Sequence, residues 1–482
     1  MRKRFEAQLA LGAEPIEQVV IRTKSRDELP PALVALQELY KNKDLSEQIF
    51  NILEAHITEG KQKTGRTGMD LWQILVFSVV RLTLDTNYDK LHDMANNHKD
   101  FRKILGVHSF IDDKEFEIQT IKDNVQLVTD DMLYQINEII AKWGHKFFKK
   151  KEAEFQQLKT DSFVVKTNVH FPTDYNLLWD SARKCLDVVC KLLKSNDISA
   201  IGWRKINDWR KTFKNFSRQI GQISAKGGTN KEQVLNNVVN QYIVKSKQLL
   251  IKVQAILNGE IKSDKMLDKL LQLEYYAKML EVHSNLLFRR IIQKETIPNS
   301  DKIHSIFLNF TEWISKGKLY PNVELGKKVL ITTNQNHLIV DYQVLDNTMD
   351  SETLLPLTDR IWALYPNKIS TWSFDKGFTN YQSKKLMESY DIKVIIPKKG
   401  KKNKSETIME QSREFKHLKH KHSAIESNIN ELEHNGLDFC PDRSRSAFNR
   451  YIGLGVMSYN LHRIGKKIVE QRRNLLKISK AA

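Results

Sequence analysis

The spacing of apolar residues changes along the chain and divides it into helical and mixed parts. From about Pro31 to Val107, apolar residues recur at helical spacing, as in "ALVALQELYKNKDLSEQIFNILEAHI", and strand signals are few. The most apolar segment, "LWQILVFSVVRLTL", contains Arg81 and is too short to span a bilayer, so it is typical of a buried helix. We therefore predict an all-α N-terminal domain over residues 1–150.

The periodicity changes at Leu158, where the first strand is expected. "LKTDSFVVKTNVHFP" is rich in β-branched and aromatic residues. Beyond Asp174, which has a ready role as the cap of the next helix, long amphipathic helices follow. One of them, "IGWRKINDWRKTFKNF", has aromatic residues at the spacing of a core face. Because this helical stretch is far too long to be a loop, the pattern predicts an α-helical insertion over residues 176–324.

Strand signals return at Lys328. "KVLITTNQNHLIVDYQVL" predicts a hairpin, and a helix, the strand "KISTWSF", a helix, the strand "IKVIIP" and a last helix follow it. Without the helical insertion, these elements make one α/β fold with a mixed sheet, over residues 151–175 and 325–465, interrupted after its first strand. Residues 466–482 are expected to form a basic C-terminal helix or tail.

Three acidic residues occupy comparable places in this predicted fold. Asp161 lies on the first strand, Asp375 ends a later strand in "STWSFDKGFTNYQ", and Glu426 lies on the last helix. Three carboxylates that converge at a sheet edge repel one another unless metal ions bind there or their pKa values rise. Carboxylate oxygens suit Mg²⁺ or Mn²⁺, and two such ions about 4 Å apart promote in-line displacement at phosphorus.

Each of these acids also has a simpler explanation when it is taken singly. Asp161 or Asp375 can stabilise a turn, and Glu426 can be a solvated helix residue. Asp174 is a rival for the first carboxylate, but Asp161 is favoured because it lies on the strand itself. Spacing alone leaves these alternatives open.

The charge of the chain indicates a class of partner. Lysine and arginine number 77 against 58 acidic residues, for a formal net charge of +19, which suits a phosphate backbone. The short helices of the N-terminal domain are compatible with helix-turn-helix DNA binding.

The three cysteines form no CxxC pair, so neither a zinc site nor a disulfide framework is expected. Since "MRKRFEAQLALGAEPIEQVV" lacks the apolar region of a secretory signal, we expect a cytoplasmic protein with no membrane partner.

Basic residues cluster around the predicted acidic site, in "PKKGKKNKSE" and "REFKHLKHKH". Lysines there can hold a DNA backbone without reading its sequence, although a solvated loop is the more common role of such runs. The residues expected to contact DNA are Lys376, Lys398, Lys399, Lys401, Lys402, Lys419, Lys421 and His422.

Longer phrases of the sequence carry a family resemblance. "TDSFVVKTNVHFPTDYNLLWDSAR", "SFDKGFTNYQ", "VIIPKKGKK" and "HSAIESNINELEHNGLDFCPD…FNRYIGLGVMSYNLHRIG" occur in this order. The chain thereby resembles bacterial insertion-sequence transposases of the DDE class, most of all those of the ISNCY group. The resemblance implies an RNase H-like catalytic core with a helical insertion, and a catalytic and metal-binding triad of Asp161, Asp375 and Glu426 with two Mg²⁺ (or Mn²⁺) ions.

The same resemblance implies a function and its partners. The expected reaction is cleavage of phosphodiester bonds at element ends and transfer of the 3′-hydroxyl into target DNA. The expected partners are double-stranded DNA, with its terminal inverted repeats and target, and further copies of the chain in a homodimer or larger synaptic assembly on the nucleoid. Where neighbouring groups have Arg and Lys around the catalytic glutamate, this chain has His422 and Glu433, so a substrate contact by that pair is in doubt.

Two other functions remain open from the sequence. An RNase H-like nuclease would hydrolyse nucleic acid without joining it. A catalytically silent, transposase-derived protein would only bind DNA, but the presence of Asp161, Asp375 and Glu426 argues against a decayed site.

Overall fold

The computed structural model describes residues 2–5, 14–58, 68–107, 114–148, 156–199, 201–315 and 322–481. The chain divides into two compact units. The first, called here the sheet unit, consists of Met1–Asn168 and Ile314–Ala482. The second, called the helical unit, consists of Val169–Trp313.

In the N-terminal part of the sheet unit, all regular secondary structure of the described residues is helical. Its helices are α1 (Leu29–Lys41), α2 (Lys43–Ile57), α3 (Leu71–Thr83), α4 (Tyr88–Asn97), α5 (Lys99–Ile104), α6 (Ile118–Val125) and α7 (Asp130–Gly144). Every residue of α3 is buried, as its apolar sequence indicates. Arg81 is 4% exposed, with its guanidinium 4.2 Å from the centre of the Tyr88 ring. Among the described residues, no helix is both long and apolar enough to cross a membrane.

Seven strands form one mixed sheet. They are β1 (Gln156–Thr167), β2 (Glu312–Ser315), β3 (Val323–Thr333), β4 (Ile339–Val344), β5 (Ile369–Phe374), β6 (Lys393–Ile395) and β7 (Phe439–Cys440). The long strand β1 is central, antiparallel to β3 on one side and parallel to β5 on the other. β4 pairs antiparallel with β3, which confirms the predicted hairpin, and β6 pairs parallel with β5. β2 borders β3 and β7 pairs with the end of β1, and neither strand was predicted.

This arrangement confirms a mixed α/β fold, and it is consistent with an RNase H-like DDE domain. The helices after the hairpin are α12 (Asp350–Leu364), α13 (Tyr381–Ser389), α14 (Lys404–Gln411), α15 (Arg413–His422) and α16 (Ala424–Leu432). Apolar residues of α12 pack with Trp372 and Phe374 of β5 in one buried cluster. Trp372 also donates a hydrogen bond from Nε1 to Thr160 Oγ1 of β1 at 2.8 Å, which ties the two strands together beneath the site.

The last helix, α17 (Arg445–Ala481), connects the sheet to the N-terminal helices. It packs against α1, α3 and α7, and so the N-terminal helices and the sheet lie in the same compact unit. A Cβ at Gly465 would lie 1.8 Å from the carbonyl oxygen of Pro31, so glycine allows α17 to approach α1 this closely. A separate domain over residues 1–150 stays a prediction.

The helical unit contains α8 (Asp174–Lys194), α9 (Ile206–Ala225), α10 (Lys231–Leu257) and α11 (Asp264–Leu287). Trp203 and Phe213 are buried in its core, and Trp209 and Phe216 pack against them, so these aromatic residues form the expected core face. Thr173, not Asp174, is the N-cap residue of α8, and its side chain makes no capping hydrogen bond. Asp174 instead pairs with Arg290 Nε at 2.8 Å, which corrects the expected role as a cap.

Candidate active site

Two of the predicted acids follow paired residues on neighbouring parallel strands. Thr160 of β1 lies opposite Phe374 of β5, so Asp161 and Asp375 come next at the same level of the sheet. β5 ends at Phe374, and the chain turns at once into a short 3₁₀ helix, Lys376–Phe378, that begins after Asp375. The buried Phe378 ring packs 5.7 Å from that of Phe374 and anchors the turn. The strand order and this turn therefore bring the two carboxylates to one part of the sheet.

The electrostatics of Asp161 show which other acids are near it. Burial, with smaller contributions from the charges of Asp375, Asp350 and Glu426, raises the pKa of Asp161 to about 7, against the lowering effect of a hydrogen bond that its Oδ1 accepts from the Ser162 amide at 2.8 Å. Each of the three named acids must lie close enough to repel the Asp161 carboxylate. The predicted triad is thus brought into one electrostatic neighbourhood, and a fourth acid joins it.

Glu426 reaches this neighbourhood from α16, which packs against β1. It is exposed and lies in the first turn of its helix, where its amide donates to the Ser423 carbonyl at 3.1 Å. Two buried residues of the same helix hold it in place. Ile425 is fully buried, and Asn428 donates a hydrogen bond from its side-chain amide to Tyr459 Oη at 2.7 Å. A firmly packed helix therefore carries an exposed carboxylate.

The fourth acid, Asp350, is one that the sequence analysis missed. It is the first residue of α12, and its Oδ1 accepts hydrogen bonds from Ser162 Oγ and Lys328 Nζ, both at 3.1 Å. A Cβ on Gly377 would lie 3.5 Å from Asp350 Oδ2, so Asp350 also borders the turn after Asp375. An aspartate in the first turn of a helix is common for local reasons, and the sequence therefore gives no signal of this placement.

The acids do not form a closed coordination shell as they are placed. Among the described residues, no group of three or more His, Cys, Asp or Glu side chains is arranged to hold a metal ion. The chemistry of the donors nevertheless fits a hard divalent cation, because Asp161, Asp375 and Glu426 offer carboxylate oxygens. A bound cation would also offset the burial and the repulsion that together keep Asp161 partly protonated near neutral pH.

His422 lies beside β5 rather than in a free loop. Its Nδ1 is 3.1 Å from Ser373 Oγ, and burial lowers the pKa of the imidazole to about 4, against the opposing charge of Asp375. At neutral pH the ring is uncharged, so His422 offers phosphate a hydrogen bond at most and no positive charge.

The predicted DNA-contact lysines divide into two groups. Lys398 pairs with Glu406 at 2.6 Å and Lys402 with Glu410 at 2.5 Å, so α14 neutralises both. The others are exposed and form no ion pair within the described part of the chain: Lys376, Lys399, Lys401, Lys419 and Lys421. The second group is therefore the one available to an incoming phosphate.

Comparison with known proteins supports one family. Residues 302–461 match the family model described as "Transposase DDE domain". The match contains Asp375, Glu426 and Asp350, but β1 with Asp161 lies before it. No curated protein and no solved structure matches the chain. The match covers about a third of the chain and supports a DDE-type transposase, a family that generally uses divalent metal ions.

Proposed function

We propose that this protein cleaves phosphodiester bonds at the ends of a mobile DNA element and joins the freed 3′-hydroxyl to target DNA. The observation that carries the proposal is the pairing of Thr160 with Phe374, which brings Asp161 and Asp375 to the same level of the sheet. Asp375 lies in the region, residues 302–461, that matches a transposase domain. The electrostatic link between Asp161 and Glu426 supports the third member of the triad.

The residues of the site have separable roles in this proposal. Asp161, Asp375 and Glu426 would hold two Mg²⁺ or Mn²⁺ ions. When bound, such ions supply Lewis-acid stabilisation of the reacting phosphate and make an attacking oxygen more nucleophilic. The exposed lysines at Lys376, Lys399 and Lys401 screen the charge of the DNA backbone. His422 positions β5 against α15 through its contact with Ser373.

Cleavage and joining need only one such site. Both are in-line displacements at phosphorus, with water as the nucleophile in the first and a sugar hydroxyl in the second. The same proposal includes membership of the ISNCY group, recognition of terminal inverted repeats, assembly into a synaptic dimer or larger complex, and a location on the nucleoid. It also includes the division of the chain into a DNA-binding domain, an interrupted catalytic core and an inserted helical region.

The test is cleavage of duplex DNA that carries the sequences flanking the coding region, with Mg²⁺ or with EDTA. We expect metal-dependent nicking by the wild-type chain, and a loss of at least about 10³-fold in Asp375→Asn, because the substitution removes a metal ligand but keeps the side-chain volume. Asp359→Asn is the matched control, since Asp359 is an exposed aspartate on α12. Nicking that survives in Asp375→Asn would remove this residue from the mechanism.

A joining assay separates the transposase from the nuclease alternative. The substrate is a pre-nicked duplex with a free 3′-hydroxyl at the element end, mixed with a supercoiled plasmid. Plasmid linked to the labelled strand supports strand transfer. Cleavage without any linked product would favour an RNase H-like nuclease.

A further inference from the structure

A basic groove lies in the sheet unit, on residues that take no part in the acidic site. It is a cavity of about 1070 Å³ between the segment before α1, the start of α5 and the last turns of α17. The side chains that line it include five cations, and they come from all three of these elements: Arg22, Lys24, Arg26, Lys99 and Arg473. We refer to this surface as the basic groove.

The positive charge of the basic groove is not neutralised by the protein itself. Within the described residues, none of the five cations forms an ion pair with a carboxylate. The two acids of the lining have backbone partners: Asp27 Oδ1 accepts from the Leu29 amide at 2.9 Å, and Asp100 Oδ2 accepts from the Arg22 amide at 3.4 Å.

Neighbouring cations of the same unit do find acidic partners. Arg472 pairs with Glu38 at 2.7 Å, and Lys466 pairs with Glu28 at 3.2 Å. The lining of the basic groove has five cations against two acids, and a concave surface with such an excess of one sign of charge attracts ions of the opposite sign. The contrast with these paired cations indicates that the basic groove is left open for an external anion.

The form of the basic groove suits a polymer better than a small anion. Its cations are exposed and spread over three elements, whereas a small anion is held by a few convergent, buried donors. The segment is also held in place, because Arg473 donates a hydrogen bond to the carbonyl oxygen of Thr23. An extended polyanion can follow such a surface from one cation to the next.

We propose that the basic groove binds the phosphate backbone of duplex DNA, without reading its sequence, on residues distinct from those of the acidic site. The choice of DNA as the polyanion rests on the proposed function. The binding itself requires neither metal nor cleavage, since phosphate contacts by lysine and arginine depend on charge and salt alone.

The experiment measures the anisotropy of a fluorescent duplex in EDTA, over a range of salt concentrations, with the full chain. The variant Arg22→Gln/Lys24→Gln/Arg26→Gln should bind at least about tenfold more weakly at 0.1 M salt, and the salt slope should fall by up to about 0.9 for each phosphate that the variant no longer neutralises. The weakening should be equal for element-end and unrelated sequences. The matched control, Lys211→Gln/Lys214→Gln/Arg218→Gln on α9, removes the same charge from exposed positions and should bind like the wild type.

The outcomes separate this inference from the proposed function. If the groove variant binds DNA with the affinity and salt slope of the wild type, the inference is wrong. It is also wrong if the α9 control loses as much affinity as the groove variant, because net charge alone would then explain the weakening. Weaker RNA binding with unchanged duplex binding would overturn the assignment to DNA. Lys99→Gln, from α5, should show a smaller effect in the same direction. If the groove variant loses affinity while the wild type never cleaves DNA, the groove stands and the proposed chemistry fails.

Discussion

Four aspartates of the helical unit and Asp161 of the sheet have opposite surroundings. In the helical unit, each of four aspartates pairs with a cation: Asp174 with Arg290, Asp180 with His170 and Arg183, Asp187 with Arg210, and Asp197 with Lys269. In the sheet, Asp161 is surrounded by other acids, and burial together with their charges raises its pKa to about 7.

The presence or absence of a cationic partner separates acids that stabilise the fold from acids that are available to bind a ligand. Burial acts to raise the pKa of Asp180, but the hydrogen bonds from His170 and Arg183 outweigh it and leave the pKa below its usual range. Asp161 is partly buried, and among the described residues no cation pairs with it, so the repulsion from its acidic neighbours is a cost that folding does not require. A cost of this kind is typical of functional sites. The charge of the groups around each carboxylate, rather than its burial, therefore distinguishes the two roles.

The largest effect expected from this comparison is the loss of a paired acid. Asp180 is 6% exposed, with Oδ2 2.6 Å from His170 Nε2 and Oδ1 3.0 Å from Arg183 Nη2. Asp180→Asn should lower the free energy of unfolding by about 3 kcal/mol, because it leaves two cationic donors without their charged acceptor. Urea denaturation followed by circular dichroism measures the change. Asp268→Asn, at an exposed position of α11, is the control, and equal stability of the two variants would contradict the assignment of Asp180 to the fold.

Much of this comparison could be anticipated from the sequence, because it depends on strand order. A run rich in β-branched and aromatic residues located β1, and the strand expected in "KISTWSF" is β5, so two strands of one mixed sheet, with Asp161 on the first and Asp375 after the second, could be expected. The register that places Thr160 opposite Phe374 could not, since it depends on packing between strands far apart in the chain.

The features that sequence reasoning missed depend on tertiary packing. Asp350 looks like an ordinary helix-start residue until α12 places it beside Ser162 and Lys328. His422 belongs to a run that is typical of a solvated loop, yet α15 packs it against Ser373. In each case the local pattern fits the element, and only the neighbour across the sheet gives the residue its role.

A smaller effect of opposite sign is expected at Asp161. Its pKa is about 7 in the folded chain and near the usual aspartate value when unfolded, so folding favours the neutral acid. Its contribution to stability is fully present below about pH 4 and is lost as the pH rises towards 7. Asp161→Asn, in EDTA, should therefore be more stable than the wild type at pH 8, by about 2 kcal/mol, and no more stable at pH 4. Thermal unfolding at the two pH values measures this, with Asp359→Asn as the control; a variant that is less stable at pH 8 would show that Asp161 serves the fold.

The smallest expected effect is the change in stability on adding a divalent cation. It tests directly whether the neighbouring acids of the sheet bind a metal ion. Mn²⁺ or Mg²⁺ at about ten times its dissociation constant should stabilise the folded wild-type chain by about 1.4 kcal/mol, since an ion that binds only the folded state adds its binding free energy to folding. Asp161→Asn and Asp375→Asn should lose most of this gain, whereas Asp180→Asn should keep it, because that acid already has its cations. The measurement is the shift in melting temperature with added ion at constant ionic strength. An equal shift in all variants would mean that the ion binds elsewhere, and the acids of the sheet would then need another explanation for their mutual repulsion.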